Sequence, residues 1–236
     1  KCEPVVMDEQ FNSAVTDIFR NEYLSPRSPY TTLQIPKQGI GEWCHPLHTV
    51  DIDDSGLRSS VQKGVLNTKL GVPFRTPAEG QNIAFTSLWD NYPDSLTVSL
   101  KGKASRAYLL MAGSTNHMQC HIDNGLIRVY YKDGTCDKMA LRNPDNWAPI
   151  EHIFFEDDLA FNRHAPALYR LRLKTGEISN NFGEELGFPG ASRELDGGAA
   201  ILLEMPLNPD KKLSHLVLET LSNDVVIGLM GITLQR

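Results

Sequence analysis

Long apolar runs are missing from this chain. Nothing in its 236 residues approaches the ~20 consecutive apolar positions that a membrane-crossing helix needs, so no membrane span is expected. Blocks of Lys or Arg are missing too, and the net charge is −6, which removes the electrostatic footprint of a nucleic-acid binder. Cysteine is scarce. The four cysteines (Cys2, Cys44, Cys120 and Cys136) are widely spaced with no CxxC, so zinc-ribbon and thioredoxin-like readings are poor. No GxSxG, HExxH, P-loop or dinucleotide fingerprint occurs. After residue 40 no long helical period appears, which disfavours a Rossmann sheet or an α/β barrel. The start at Lys1 does not read as a signal peptide, and a processed leader would leave the same start.

What is present is strand and turn, repeatedly. Runs rich in β-branched, aromatic and leucine residues lie at 83–88, 96–101, 106–112, 117–122, 126–131, 135–141, 169–173, 199–204, 215–221 and 225–234. Gly, Pro, Asn and Asp bound most of them. Many short strands at roughly even spacing predict an antiparallel β-sandwich of the jelly-roll kind over residues 61–236. Residues 1–60 should form an N-terminal helix and extended arm packed on that sandwich. Phe11, Val15, Ile18 and Phe19 share one face of a helical turn, Asp8 is placed to cap it, and Ser25-Pro26 should end it.

Asn124-Gly125 and Asp133-Gly134 each favour two-residue hairpin loops. The double hairpin would pair Ile122 with Ile127, Cys120 with Val129 and Tyr131 with Cys136, all on one inward face. Cys120 and Cys136 would then lie ~10 Å apart on the outer strands, beyond the ~7 Å reach of a disulfide. Both are expected as free, buried thiols. A Cys2–Cys44 disulfide stays open.

Residues 43–58, WCHPLHTVDIDDSGLR, concentrate ligand-type side chains. His45 and His48 point to opposite faces of a strand, and Pro46 disfavours the helix that would reunite them, so no shared metal is expected. Asp54-Ser55-Gly56 reads as an acidic turn with Gly56 at positive φ and Arg58 paired to one of the carboxylates. The same acidic turn would also suit a structural calcium ion or a sugar contact. No other cofactor is expected.

Ligand-binding candidates come from two loops. Trp89, Asp90, Asn91 and Tyr92 combine aromatic rings with an amide and a carboxylate, the mixture that suits a sugar's apolar face and polar rim. Asn116 and His117 lie in a polar loop between two strands. For both loops the bland alternative is a turn with packed aromatics and self-satisfied side chains. Asn143-Pro144-Asp145 is a strong turn signal, with Trp147 folding back onto the sandwich edge. Glu151, His152, Glu156, Asp157 and Asp158 form an acidic cluster. A carboxylate pair there, or among Asp51, Asp53 and Asp54, could serve glycoside hydrolysis only if held ~5–9 Å apart.

Several phrases occur together and in order: RSPYTTLQIPKQGIGEWCHP, DDSGLR, GVPFRTP, FTSLWDNYPDSLTVSLKGKASRAYLLMAGSTNHMQ, GLIRVYYKDGT, LRNPDNWAPIE and NDVVIGLMGITL. Together they resemble the C-terminal region of large secreted bacterial proteins related to α-L-rhamnosidase-like glycoside hydrolases. The part from GVPF onward also looks like a galactose-binding-like jelly roll. The resemblance implies a carbohydrate setting and an extracytoplasmic location, periplasmic or secreted. It supplies no catalytic pair, because in such hydrolases the acid and base sit in an α-helical barrel that this chain lacks. The expectation is a non-catalytic carbohydrate-associated module whose partner is a weakly bound glycan. A structural domain docking on a glycoside hydrolase domain through Phe11, Phe19, Tyr23 and Trp43 is one alternative. A small glycosidase is the other.

Overall fold

The computed structural model describes residues 1–20, 51–89, 91–115, 119–152, 162–182, 195–223 and 225–236. Fourteen strands run through these residues, with a single short α-helix and two 3₁₀ turns. The fold is mainly β and sandwich-like, and every strand pairing in its sheets is antiparallel.

The largest sheet is centred on β14 (Val225–Gln235) and β7 (Arg106–Thr115). Next to β7 lie β12 (Ala199–Pro206), β10 (Tyr169–Arg172) and β11 (Ile178–Ser179). The free side of β14 is shared, with β1 (Cys2–Pro4) at one end and β5 (Ala84–Ser87) at the other. A second sheet runs in the order β6 (Ser95–Ser99), β13 (Leu213–Thr220), β8 (Asp123–Tyr131), β9 (Cys136–Arg142). A small third sheet joins β2 (Val61–Gln62), β3 (Val65–Asn67) and β4 (Pro73–Arg75).

The large sheet is apolar on both faces. Ala107, Leu109 and Met111 of β7 and Ile201, Leu203 and Met205 of β12 face the four-stranded sheet, meeting Ile127, Val129 and Leu216. Leu110 and Ala112 of β7, with Ala200 and Leu202 of β12, face the other way into a second core with Val15, Leu57, Leu66 and Phe74. β14 serves both cores with a change of parity. Val225, Ile227 and Leu229 enter the first core, a bulge follows at Leu229/Gly231, and from there Ile232 and Leu234 enter it. An extra residue in one strand moves the inward set by one position, and Ile232 and Leu234 are thereby turned into the first core, while Met230, like Val226, lies in the second. The four-stranded sheet keeps one wetter face, with Ser95, Thr97 and Ser99 exposed.

Several sequence expectations are corrected here. No α-helix spans residues 11–19. The segment makes 3₁₀ turns at Asp8–Gln10 and Val15–Asp17, and Asp8 lies inside the first rather than capping a helix. The Asn12 side chain explains the break. It accepts a hydrogen bond from the Phe85 N–H at 2.9 Å and donates to the Phe85 carbonyl at 3.0 Å, while the backbone N–H groups of Asn12 and Ser13 donate to Ile83. Polar groups that a helix would use internally are diverted to the edge of β5. Phe11, Val15 and Ile18 are buried all the same.

Asn124-Gly125 is not a hairpin turn. Both residues lie inside β8, flanked by β13 and β9. Asn124 is fully buried; its Oδ1 accepts from Thr115 Oγ1 at 2.7 Å, and its Nδ2 donates to the carbonyls of Gln119 and Ile122. Gly125 is there for close approach, since a Cβ would collide with the Ile227 side chain. Residues 119–122 carry no strand, and Ile122 is exposed rather than inward. Asp133-Gly134 does form a hairpin, with Gly134 at φ 83°. The Tyr131 N–H donates to the Thr135 carbonyl, so the loop takes up Lys132 and Cys136 faces Tyr130 instead of Tyr131. Cys2, Cys120 and Cys136 are in no disulfide, as expected for the last two, but Cys120 and Cys136 are half-buried rather than buried. Cys44 lies outside the described residues. Strands β1 to β4 and β11 have no counterpart in the sequence reading.

Candidate functional site

The acidic turn becomes α1 (Ser55–Ser59), a helix of little more than one turn. Gly56 does not take positive φ. Its lack of a side chain admits the Lys174 carbonyl oxygen, which occupies the space a Cβ would need. Asp53 accepts the Ser55 N–H at 2.9 Å, and hydrogen bonding from Ser55, aided by Lys174, holds its carboxyl below the ordinary carboxylate value. Asp54 is buried. Its Oδ2 accepts from Arg58 Nε and from Asn82 Nδ2, each at 2.9 Å, so the expected pairing with Arg58 is present. Arg58 also donates to the Gly80 carbonyl at 2.7 Å, and Asn82 Oδ1 accepts the Val15 N–H at 2.9 Å. A charged helix, the N-terminal segment and the loop before β5 are thus tied together through one carboxylate. Asp51 is exposed.

An open cleft of about 480 Å³ meets this knot at Gly80. Asn12, Ser13 and Asp17 line it from the N-terminal segment, Gln81 from the loop before β5, and Asn91 and Tyr92 from the loop after that strand. Its lining is dominated by amides and a carboxylate. The predicted loop therefore contributes Asn91 and Tyr92 to a concave surface. Trp89 is elsewhere, 5% exposed with its indole N–H donating to the Asn223 carbonyl at 2.9 Å. The Tyr92 ring is packed 5.1 Å from Phe85, and its hydroxyl reaches Ser13 Oγ at 3.4 Å. Neither ring presents an open face. Asp90, Asn116 and His117 lie outside the described residues, as do Tyr23, Trp43, His45, His48, Glu156, Asp157 and Asp158. Asn12, Asp17 and Gln81 were missed because they are ordinary polar residues on segments with no ligand-type motif.

Glu151 and His152 are buried beside Arg170. The Arg170 guanidinium donates to the carbonyls of His152 at 2.7 Å, Pro149 at 2.9 Å and Ala199 at 2.9 Å. Burial pulls its pKa down to about 10, partly offset by the neighbouring Glu151 charge, so it stays cationic at neutral pH. Its role is to clamp β10 to the 149–152 turn and to the start of β12. Trp147 is fully buried in the first core, deeper than an edge position.

A third group comes from three distant segments. His121 precedes β8, Asp145 follows the cis Asn143–Pro144 bond, and His164 lies between β9 and β10. Asp145 Oδ1 accepts the backbone N–H of His164 at 2.6 Å. Its Oδ2 faces Nδ1 of His121 at 3.8 Å and Nδ1 of His164 at 3.9 Å. The two imidazole rings lie 4.8 Å apart. Only the turn at Asn143-Pro144-Asp145 was readable in sequence; separations of 24 and 19 residues make no motif.

No protein-family model matches this chain, and no curated protein or solved structure matches it either. Among the described residues, no helix is long and apolar enough to cross a membrane.

Proposed function

We propose that this chain is a non-catalytic, carbohydrate-associated module, a jelly-roll sandwich of galactose-binding-like type acting extracytoplasmically beside a glycan-degrading enzyme. The observation that supports this reading is the open cleft at Asn12, Asp17, Gln81, Asn91 and Tyr92. Amide and carboxylate groups on a concave surface suit the hydroxyl rim of a sugar. Three of the four described carboxylates weighed for hydrolysis also favour a binding role. Asp53 and Asp54 are engaged in holding α1, and Glu151 is buried beside a guanidinium. A docking role through the N-terminal aromatics is less favoured, because Phe11 is buried and Phe19 packs partly buried on the second core.

Binding should be weak, with Kd on the order of 1 mM, because a shallow polar cleft buries little apolar area. Titration calorimetry against a panel of neutral and acidic oligosaccharides should find a ligand, and Asp17→Ala or Gln81→Ala should abolish its heat. A blank panel would remove the binding role. Turnover of an aryl-rhamnoside, lost on replacing one carboxylate, would replace it with a hydrolase.

A further inference from the structure

We propose that His121, Asp145 and His164 form a site for one first-row divalent cation of borderline softness, with Zn²⁺ the simplest occupant. One ligand atom from each residue lies within 4.8 Å of the others. The two separations from Asp145 Oδ2, 3.8 and 3.9 Å, are too long for hydrogen bonds. They are close to what an ion imposes. Bonds of about 2.0–2.2 Å at a tetrahedral angle put ligand atoms about 3.3–3.6 Å apart. A contraction of a few tenths of an ångström along the two edges from Asp145, with a swing of His164 closing the His–His edge from within 4.8 Å, would seat the ion.

The frame permits that adjustment on one side and resists it on the other. His121 is fixed, because its N–H donates to the Asn143 carbonyl at 2.8 Å and the preceding Cys120 bridges to Asn143. His164 is the adjustable arm, with its side chain 65% exposed. Asp145 is already oriented, since its other oxygen holds the His164 backbone. His121 turns its Nδ1 toward the Asp145 carboxylate, so Nδ1 is the atom that would bind the ion.

The donor set selects the class of ion. Two imidazoles and one carboxylate suit Zn²⁺, Ni²⁺ or Cu²⁺, whereas Ca²⁺ requires six to eight oxygen ligands. Three protein ligands leave a fourth position, and the exposure of His164 makes water its natural occupant. The site stands on its own geometry, independent of the polar cleft and of any glycan.

The test is calorimetric titration of the chelator-treated full chain with Zn²⁺, alongside His164→Ala and Asp145→Asn. Both variants should stay folded by circular dichroism. His164 is largely exposed, and the amide introduced by Asp145→Asn keeps an oxygen for the His164 N–H. One equivalent should bind the native chain, and each variant should lose at least about tenfold in affinity. Absence of binding, or an affinity that either folded variant leaves unchanged, would overturn the proposal.

Discussion

The two faces of the large sheet are covered in different ways. One is met by another sheet, and its core is a regular interdigitation of alternate residues from β7, β12, β14, β8 and β13. The other is met by short pieces: an N-terminal segment of 3₁₀ turns, a helix of five residues and a three-stranded sheet of short strands. The first cover is held together by its own ladder hydrogen bonds. The second is positioned by side chains, chiefly Asn12, Asn82, Asp54 and Arg58, each bonding to a backbone or a carboxylate on another segment. The difference teaches where a polar site can arise. Ladders leave few polar groups over, whereas a cover built from irregular segments ends in loops whose amides line an open cleft.

The strongest way to break this comparison is Phe74→Ala. Phe74 is fully buried in the second core. If the irregular cover makes a core as dense as the other, denaturant unfolding should show a loss of about 3–5 kcal/mol. A loss below about 1 kcal/mol would mean that the cover is only an attachment.

Asn82→Ala addresses the side-chain mortar itself. It would leave the Val15 N–H and one lone pair of the buried Asp54 without their partner. The stranded Val15 N–H costs about 1–3 kcal/mol and the Asp54 carboxylate, which keeps Arg58, adds about 1, so a total of about 2–4 kcal/mol is expected. Amide exchange should quicken first over residues 13–18 and 52–60, with β8 and β13 unaffected. Uniform quickening would show that the two covers are not energetically distinct.

The smallest effect sharpens the contrast from the ladder side. At the β8–β9 turn, Asp133 is held down to about 2 by hydrogen bonds from Thr135 and by Lys211. A depressed carboxyl contributes stability above its unfolded value of 3.8, and that contribution fades as pH falls toward 2. Tyr131, whose hydroxyl donates to Asp137 and accepts from the Asn208 N–H, is pushed up to about 12, chiefly by burial. Its contribution is present below pH 10 and fades as pH rises through about 12. Asp133→Asn should flatten the acid limb of the unfolding midpoint between pH 4 and 2 while leaving the alkaline limb in place. An unchanged acid limb would show that the turn adds nothing.

Much of the regular half was legible because its signals are local. Strands at 106–112, 199–204 and 225–234 fall within β7, β12 and β14, and the 126–131 run falls within β8. The polar cleft was legible only in Asn91 and Tyr92, the part lying on a turn with aromatic neighbours. Asn12 and Gln81 carry no signal of their own, because their place in the cleft comes from contacts made across dozens of residues.

By itself the sequence determined a mainly β, antiparallel chain, the Asp133-Gly134 turn and the pairing of Arg58 with a nearby carboxylate. Each depends on backbone preference or on a spacing of a few residues, so neighbours along the chain suffice. The tertiary structure decided the rest. Asn124-Gly125 has the local chemistry of a turn, but ladder bonds from β13 and β9 and the hydroxyl of Thr115 hold it inside a strand. The same long-range pairing turned Ile232 and Leu234 into the first core and brought His121, Asp145 and His164 to one point. Such outcomes depend on which distant segment arrives to satisfy a backbone group, and local preference does not encode that competition.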